Sequence, residues 1–216
     1  MNRPGIAALL VLLVLAPAGP ALAQPARERA LADLRGASDA AARRLAAQQL
    51  AETGTMADLP ALATALRDTD PLVRGFVESA MWSVWSRTGV EEIDQLFAVG
   101  VAQMGQRQLE AAIETFSRVI ERRPEFAEGW NKRATVYYLL GDYRSSLADC
   151  DEVMARNPYH WGALSGYGMI YMQLDQPARA IDYLQKALTV NPNLDQVAQT
   201  IEILKTLLLQ RRRDMI

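Results

Sequence analysis

The chain has 216 residues, half of them apolar, with 23 basic and 25 acidic side chains and a formal net charge of −2. That length fits one large domain or two small ones, and that apolar share supports a packed core rather than disorder. The near-balanced charge lacks the basic footprint of a nucleic-acid-binding protein and points to no ligand class.

Residues 1–23 stand apart from the rest. Met1 to Arg3 is a short positive start, and Gly5 to Leu15 is an unbroken apolar run. Pro17 and Pro20 interrupt any helix, and Ala21-Leu22-Ala23 puts small residues where a signal peptidase reads. The run is shorter than the roughly 20 residues a bilayer span needs. The pattern predicts a signal peptide cleaved before Gln24, with a retained anchor as the alternative. It therefore predicts an exported, periplasmic protein with no membrane insertion after cleavage. Cys150 is the sole cysteine, so no internal disulfide is available and packing alone must hold the fold.

Residues 24–90 read as helical. In PALATALRDTDPLVRGFVESAMWSVW, at 60–85, one helix ends at Leu66, Asp68 to Pro71 turns the chain, and a second helix begins with Leu72, Val73 and Arg74. This resembles a HEAT-type repeat, whose turn pairs an acidic residue with proline before Val-Arg. A degenerate copy at 31–51 offers a helix, a Ser38-Asp39 turn and the Arg43-Arg44 pair. Trp82 and Trp85, at helical spacing near the junction with the first repeat unit that follows, are expected to pack in the core between the two parts, with an aromatic ligand platform as the alternative. Thr88-Gly89 is the one clear break. The link is too short for free domain motion, which predicts one continuous superhelix.

From residue 91 a repeat takes over. Pro124, Pro158 and Pro192 lie 34 apart. In register with them, Gly100, Ala134 and Gly168 supply a small residue in a first helix, and Ala112, Ser146 and Ala180 one in a second. Phe116, Cys150 and Leu184 come next as larger residues, then Val119, Val153 and Ala187. Small residues let two antiparallel helices cross closely, large ones fill the gap to the next unit, and proline ends the second helix. Three units sharing these positions resemble the tetratricopeptide repeat family, whose period is 34 residues. The repeats fall at 93–126, 127–160 and 161–194, within a domain 91–216 whose last helix, 195–212, caps the array. The fold expected is all-α, a right-handed α-solenoid of antiparallel helix pairs.

The resemblance implies a concave groove lined by the first helix of each unit, and hence an exported, non-catalytic module binding a protein or peptide segment. A chaperone-like or regulatory subunit of an envelope enzyme complex is the alternative. The groove positions give Phe97 and Met104 in the first unit, Asn131, Lys132, Thr135 and Tyr138 in the second, and Ser165, Met169 and Met172 in the third. Asn131 and Lys132 would meet a ligand's backbone or carboxylate, and Phe97 and the methionines its apolar side chains. Gly162 and Gly166, costly within a helix, serve either a ligand or tight packing. Arg133 stands where an apolar residue is expected, so it forms an internal pair with Asp149 or Asp151, or reaches an anionic ligand. Cys150 is expected to be buried and inert.

No catalytic residue, metal ligand or cofactor is expected. His160 is the only histidine, so it cannot form a metal cluster, and its place at a turn predicts a solvated or capping role. The glycines around Gly166 lie inside a helix and so make no phosphate loop.

Overall fold

The computed structural model describes residues 20–214. Every regular element among them is helical. The N-terminal part comprises α1 (Pro20–Gly36), α2 (Ala40–Thr53), a 3₁₀ turn at Met56–Asp58, α3 (Leu59–Ala65) and α4 (Pro71–Trp85). Three helix pairs come next: α5 (Glu91–Gly105) with α6 (Leu109–Arg122), α7 (Ala127–Leu140) with α8 (Tyr143–Arg156), and α9 (Trp161–Gln173) with α10 (Pro177–Val190). The chain closes with α11 (Asp195–Asp214), packed on α10. The expected signal segment 1–23 falls outside the described residues except for its last four. None of the described helices is long and apolar enough to cross a membrane.

Local chemistry fixes the helix ends. Asp70 accepts a hydrogen bond from the Val73 N–H at 2.9 Å, and Pro71 opens α4 where its missing N–H costs nothing. Arg43 grips Asp68 through two bonds of 2.7 and 2.9 Å, and Arg44 reaches Asp70 at 2.9 Å, so the arginine pair of α2 braces the turn before α4. Arg27 likewise grips buried Asp58 at 2.7 and 2.9 Å and ties α1 to the 3₁₀ turn.

The three pairs share one turn conformation. The fifteenth residue of each unit is left-handed: Arg107 at φ 59°, Gly141 at φ 78° and Asp175 at φ 52°. Only the middle unit places glycine there, the residue for which this conformation carries no steric cost. The crossings obey the expected logic. A Cβ on Gly100 would lie 2.6 Å from the Phe116 ring, and one on Gly168 would lie 2.5 Å from Leu184. In the middle unit Ser146 donates to the Ala134 carbonyl at 2.7 Å and Cys150 takes the large position. The final helix buries Ile201 and Leu204, yet Ile203 is 68% exposed, so its outer face is not wholly polar.

One expectation gives way. The N-terminal helices do not stack on the first repeat to extend a single superhelix. Their core of Leu50, Leu62, Val73, Val77 and Trp85 is completed by Trp161, Leu164 and Ala187 of the third repeat. Asn193 donates to the Leu66 carbonyl at 2.9 Å, and Arg67 donates to the Thr189 carbonyl, pinning α3 beside the end of α10. The reason is aromatic: Trp82 and Trp85 pack against Trp161 at the start of α9. Val99, on the face of α5 that a preceding unit would cover, is consequently half exposed.

Candidate functional site

Between α7 and α9 a slot of about 230 Å³ opens on the groove side. Ala134, Thr135 and Tyr138 form one wall, and Gly162, Gly166, Met169 and Ile170 the other. Ser146 and Cys150 of α8 form the floor. The slot exists because α9 carries glycine where a side chain would stand. A Cβ on Gly166 would touch only the Cys150 Sγ, at 3.7 Å. Gly162 differs: its Cβ would lie 3.0 Å from the His160 ring and 3.1 Å from Trp82. The two glycines therefore part company, Gly162 serving tight packing and Gly166 leaving open space.

The contrast between helical glycines yields a test of sign. Gly166→Ala removes the helical cost of glycine at a site with room, so it should stabilise the protein by about 0.5–1 kcal/mol. Gly168→Ala drives a methyl into Leu184 and should destabilise it by about 1–3 kcal/mol. Urea denaturation of both variants, with unchanged slopes, measures the two shifts.

At the inner end of the slot lies a cluster built on Glu128, fully buried in the first turn of α7. Its carboxylate accepts from Lys132 Nζ at 2.9 Å, from Asn131 Nδ2 at 3.1 and 3.2 Å, and from His160 Nε2 at 2.7 Å. His160 Nδ1 accepts the Ala163 N–H at 3.1 Å and caps α9, so the proton sits on Nε2 and is directed at Glu128. Burial alone would raise the Glu128 carboxyl. The hydrogen bond from His160 and the ammonium of Lys132 outweigh it and hold the group below the usual carboxylate range. Trp85 stacks on His160 with ring centres 4.6 Å apart, and Trp82 meets it edge-on at 5.6 Å. Trp161 packs against Trp85 at 4.4 Å. The cluster thus joins the second repeat, the third repeat and the N-terminal helices.

The structure sorts the groove residues expected from the repeat register. Thr135, Tyr138 and Met169 line the slot together, and Met172 stands a turn further out, 40% exposed. Asn131 reaches the slot and Lys132 does not line it; both are engaged by Glu128 rather than offered to a ligand. Ser165 is half-buried and lies off the slot. Phe97 is a correction: it is buried inside the first repeat, 5.2 Å from Phe126, which closes over it from the following turn. Met104 packs half-buried against the same cluster, so the first unit lends the slot nothing.

Arg133 also resolves. It grips Asp149 through two bonds of 2.8 Å and donates to Ser117 at 2.9 Å, an internal tie between α6, α7 and α8. Asp149's hydrogen bond raises the guanidinium pKa further. Asp151 is not part of that pair and accepts from the Tyr167 hydroxyl instead. Cys150 is buried as expected, and burial pushes its thiol up to about 12. His160 is a correction in part: it caps the helix as anticipated, but it is fully buried, not solvated. The Glu128–His160 pair escaped sequence reasoning. Its only signal was an acidic residue opening one repeat and a histidine closing it beside tryptophans.

An all-α solenoid of antiparallel helix pairs, with a groove on the first helices, is the architecture of a helical repeat protein. Residues 98–160 and 161–194 both match models of the tetratricopeptide repeat, and this part of the chain is a tetratricopeptide-repeat array. A TPR repeat-containing protein of Rhizobium etli is 28% identical over 133 residues, 62% of this chain and 65% of that relative's length. Among solved structures, the TPR2B domain of yeast Sti1 in its pHsp70 complex superposes with a TM-score of 0.51 at 18% identity, covering 54% of this chain and 98% of that one. The Yersinia enterocolitica type III secretion chaperone SycD, in complex with a peptide of the translocator YopD, gives 0.52 at 14% identity, covering 55% and 95%. At such identities the likeness is one of fold.

Proposed function

We propose that the protein is an exported, non-catalytic interaction module that receives an extended segment of another protein in the groove between α7 and α9. The observation that carries this reading is the slot itself, an opening on the groove side left by Gly166 and bordered by Thr135, Tyr138 and Met169. Solved arrays of the same fold hold a peptide or protein partner, which supports a partner of that kind here. The N-terminal pattern of residues 1–23 supports export, and the mature chain recovered from a periplasmic fraction should begin at Gln24.

The test uses the full chain as bait in envelope extract. Partners held by the wild type should be lost with Gly166→Leu, which fills the slot, and kept with Ile203→Glu on the outer face of α11. The reverse pattern would move the binding face to the end of the array and contradict this reading. The alternative of a regulatory subunit draws on Leu45 and Leu72, both more than half exposed on the N-terminal helices. It gains if Leu72→Glu alone releases the partner.

A further inference from the structure

We infer that the slot takes a single uncharged apolar side chain, aromatic or branched aliphatic, from a segment of the partner that carries no charge beside it. This rests on the groove reading and adds to it the chemical class of the ligand.

The size sets the first limit. A dry cavity of about 150 Å³ accepts benzene. A slot of about 230 Å³ therefore has room for one phenyl or isobutyl group with its stem, and not for two such side chains.

The polar groups set the second limit. The hydrogen-bond donors that border the slot, apart from the Tyr138 hydroxyl, which only accepts from Gln173 at 3.4 Å, already have partners within the protein. The Ser146 hydroxyl donates to the Ala134 carbonyl at 2.7 Å, and the Thr135 hydroxyl donates to the Asn131 carbonyl at 2.9 Å. The Asn131 amide is directed at Glu128. A polar or charged side chain entering here would lose its hydration with the Tyr138 hydroxyl as its one open partner, whereas an apolar one gains by leaving water.

Charge sets the third limit. Lys132 is the basic residue among the expected groove positions, and its ammonium lies 2.9 Å from the fully buried carboxylate of Glu128. That pairing neutralises it. An acidic segment would therefore meet no uncompensated positive charge at the slot. The Glu128 cluster thereby acts on specificity as well as on structure.

The experiment titrates the full chain, with labelled methionine and alanine methyls, against three short synthetic peptides capped at both ends. They share a Gly-Ser frame and differ at the centre, which is Phe, Leu or Asp-Glu. The Phe and Leu peptides should shift the Met169 and Ala134 methyls along a saturable curve, with a midpoint changing less than about twofold between roughly 0.05 and 0.5 M salt. The Asp-Glu peptide should shift neither. Gly166→Leu should weaken the Phe peptide by about tenfold or more, since the space it needs is filled. The wild-type titration stands alone should that variant fail to fold. If the acidic peptide shifts these methyls and salt weakens it, the apolar class is overturned while the groove remains the binding face. If no peptide shifts them, both readings fall.

Discussion

Replacing Glu128 by alanine should lower the unfolding free energy by about 3–5 kcal/mol, among the largest effects of any single substitution outside the apolar core. The carboxylate is fully buried and accepts from three side chains. Removing it strands the Nε2–H of His160, which is buried to the same degree, and leaves the Lys132 ammonium beside an emptied site. An unpartnered buried donor alone costs about 1–3 kcal/mol. Glu128→Gln keeps the volume and one acceptor, so it should cost less. The pH dependence comes from the same geometry. The Glu128 and Asp58 carboxyls are both held below their ordinary range, Asp58 because the Arg27 and Thr55 bonds outweigh its burial. A carboxyl depressed in the folded state contributes stability that is complete above its unfolded value, about 4. That contribution is lost as pH falls through the folded value. Wild-type stability should therefore hold from neutral pH to about 5 and fall below about 4, and Glu128→Ala should flatten part of that decline. Urea denaturation across this pH range measures both.

Trp85→Ala should cost about 3–5 kcal/mol and detach the N-terminal helices from the third repeat. The indole is 2% exposed, stacks on His160 and packs against Trp82 and Trp161. It sits at the centre of the aromatic contact between α4 and α9, and a truncated site cannot close between helices whose backbones stand apart. Trp85→Phe should retain most of the stability. Denaturation gives the magnitude. Proteolysis of the folded variant reports the detachment, as faster cleavage within 86–90, where the segment links two parts held together elsewhere. Unchanged cleavage would mean that Asn193 and Arg67 hold the docking by themselves.

The sequence disclosed the features that repeat and withheld those that do not. The 34-residue period was legible because each crossing imposes a size: Gly100 against Phe116, Gly168 against Leu184. Arg133 betrayed itself as a charge at an apolar position, and Asp149 supplied the pair. Thr135, Tyr138 and Met169 were legible from their place in the repeat, because the groove face of a helix is set by its own periodicity. Phe97 was not, since its exposure depends on Phe126, which folds across it from the next turn. The docking of α4 on α9 was least legible. It rests on Trp85 and His160, which lie 75 positions apart and share no repeat register. Nothing in local pattern joins them, and a short link at Thr88-Gly89 suggested simple stacking instead. The slot was visible only as an open choice at two glycines, which three-dimensional neighbours then separated.

The most direct test of the binding face is to place a photo-cross-linking residue at Met169, and in a second chain at Ile203, and to irradiate cells that express each. Met169 borders the slot and is 47% exposed, while Ile203 is more exposed but lies on the outer face of α11. A groove that receives a partner segment predicts a discrete cross-linked species from position 169 that disappears when Gly166→Leu is added, and none from position 203. A partner captured from 203 and not from 169 would contradict it.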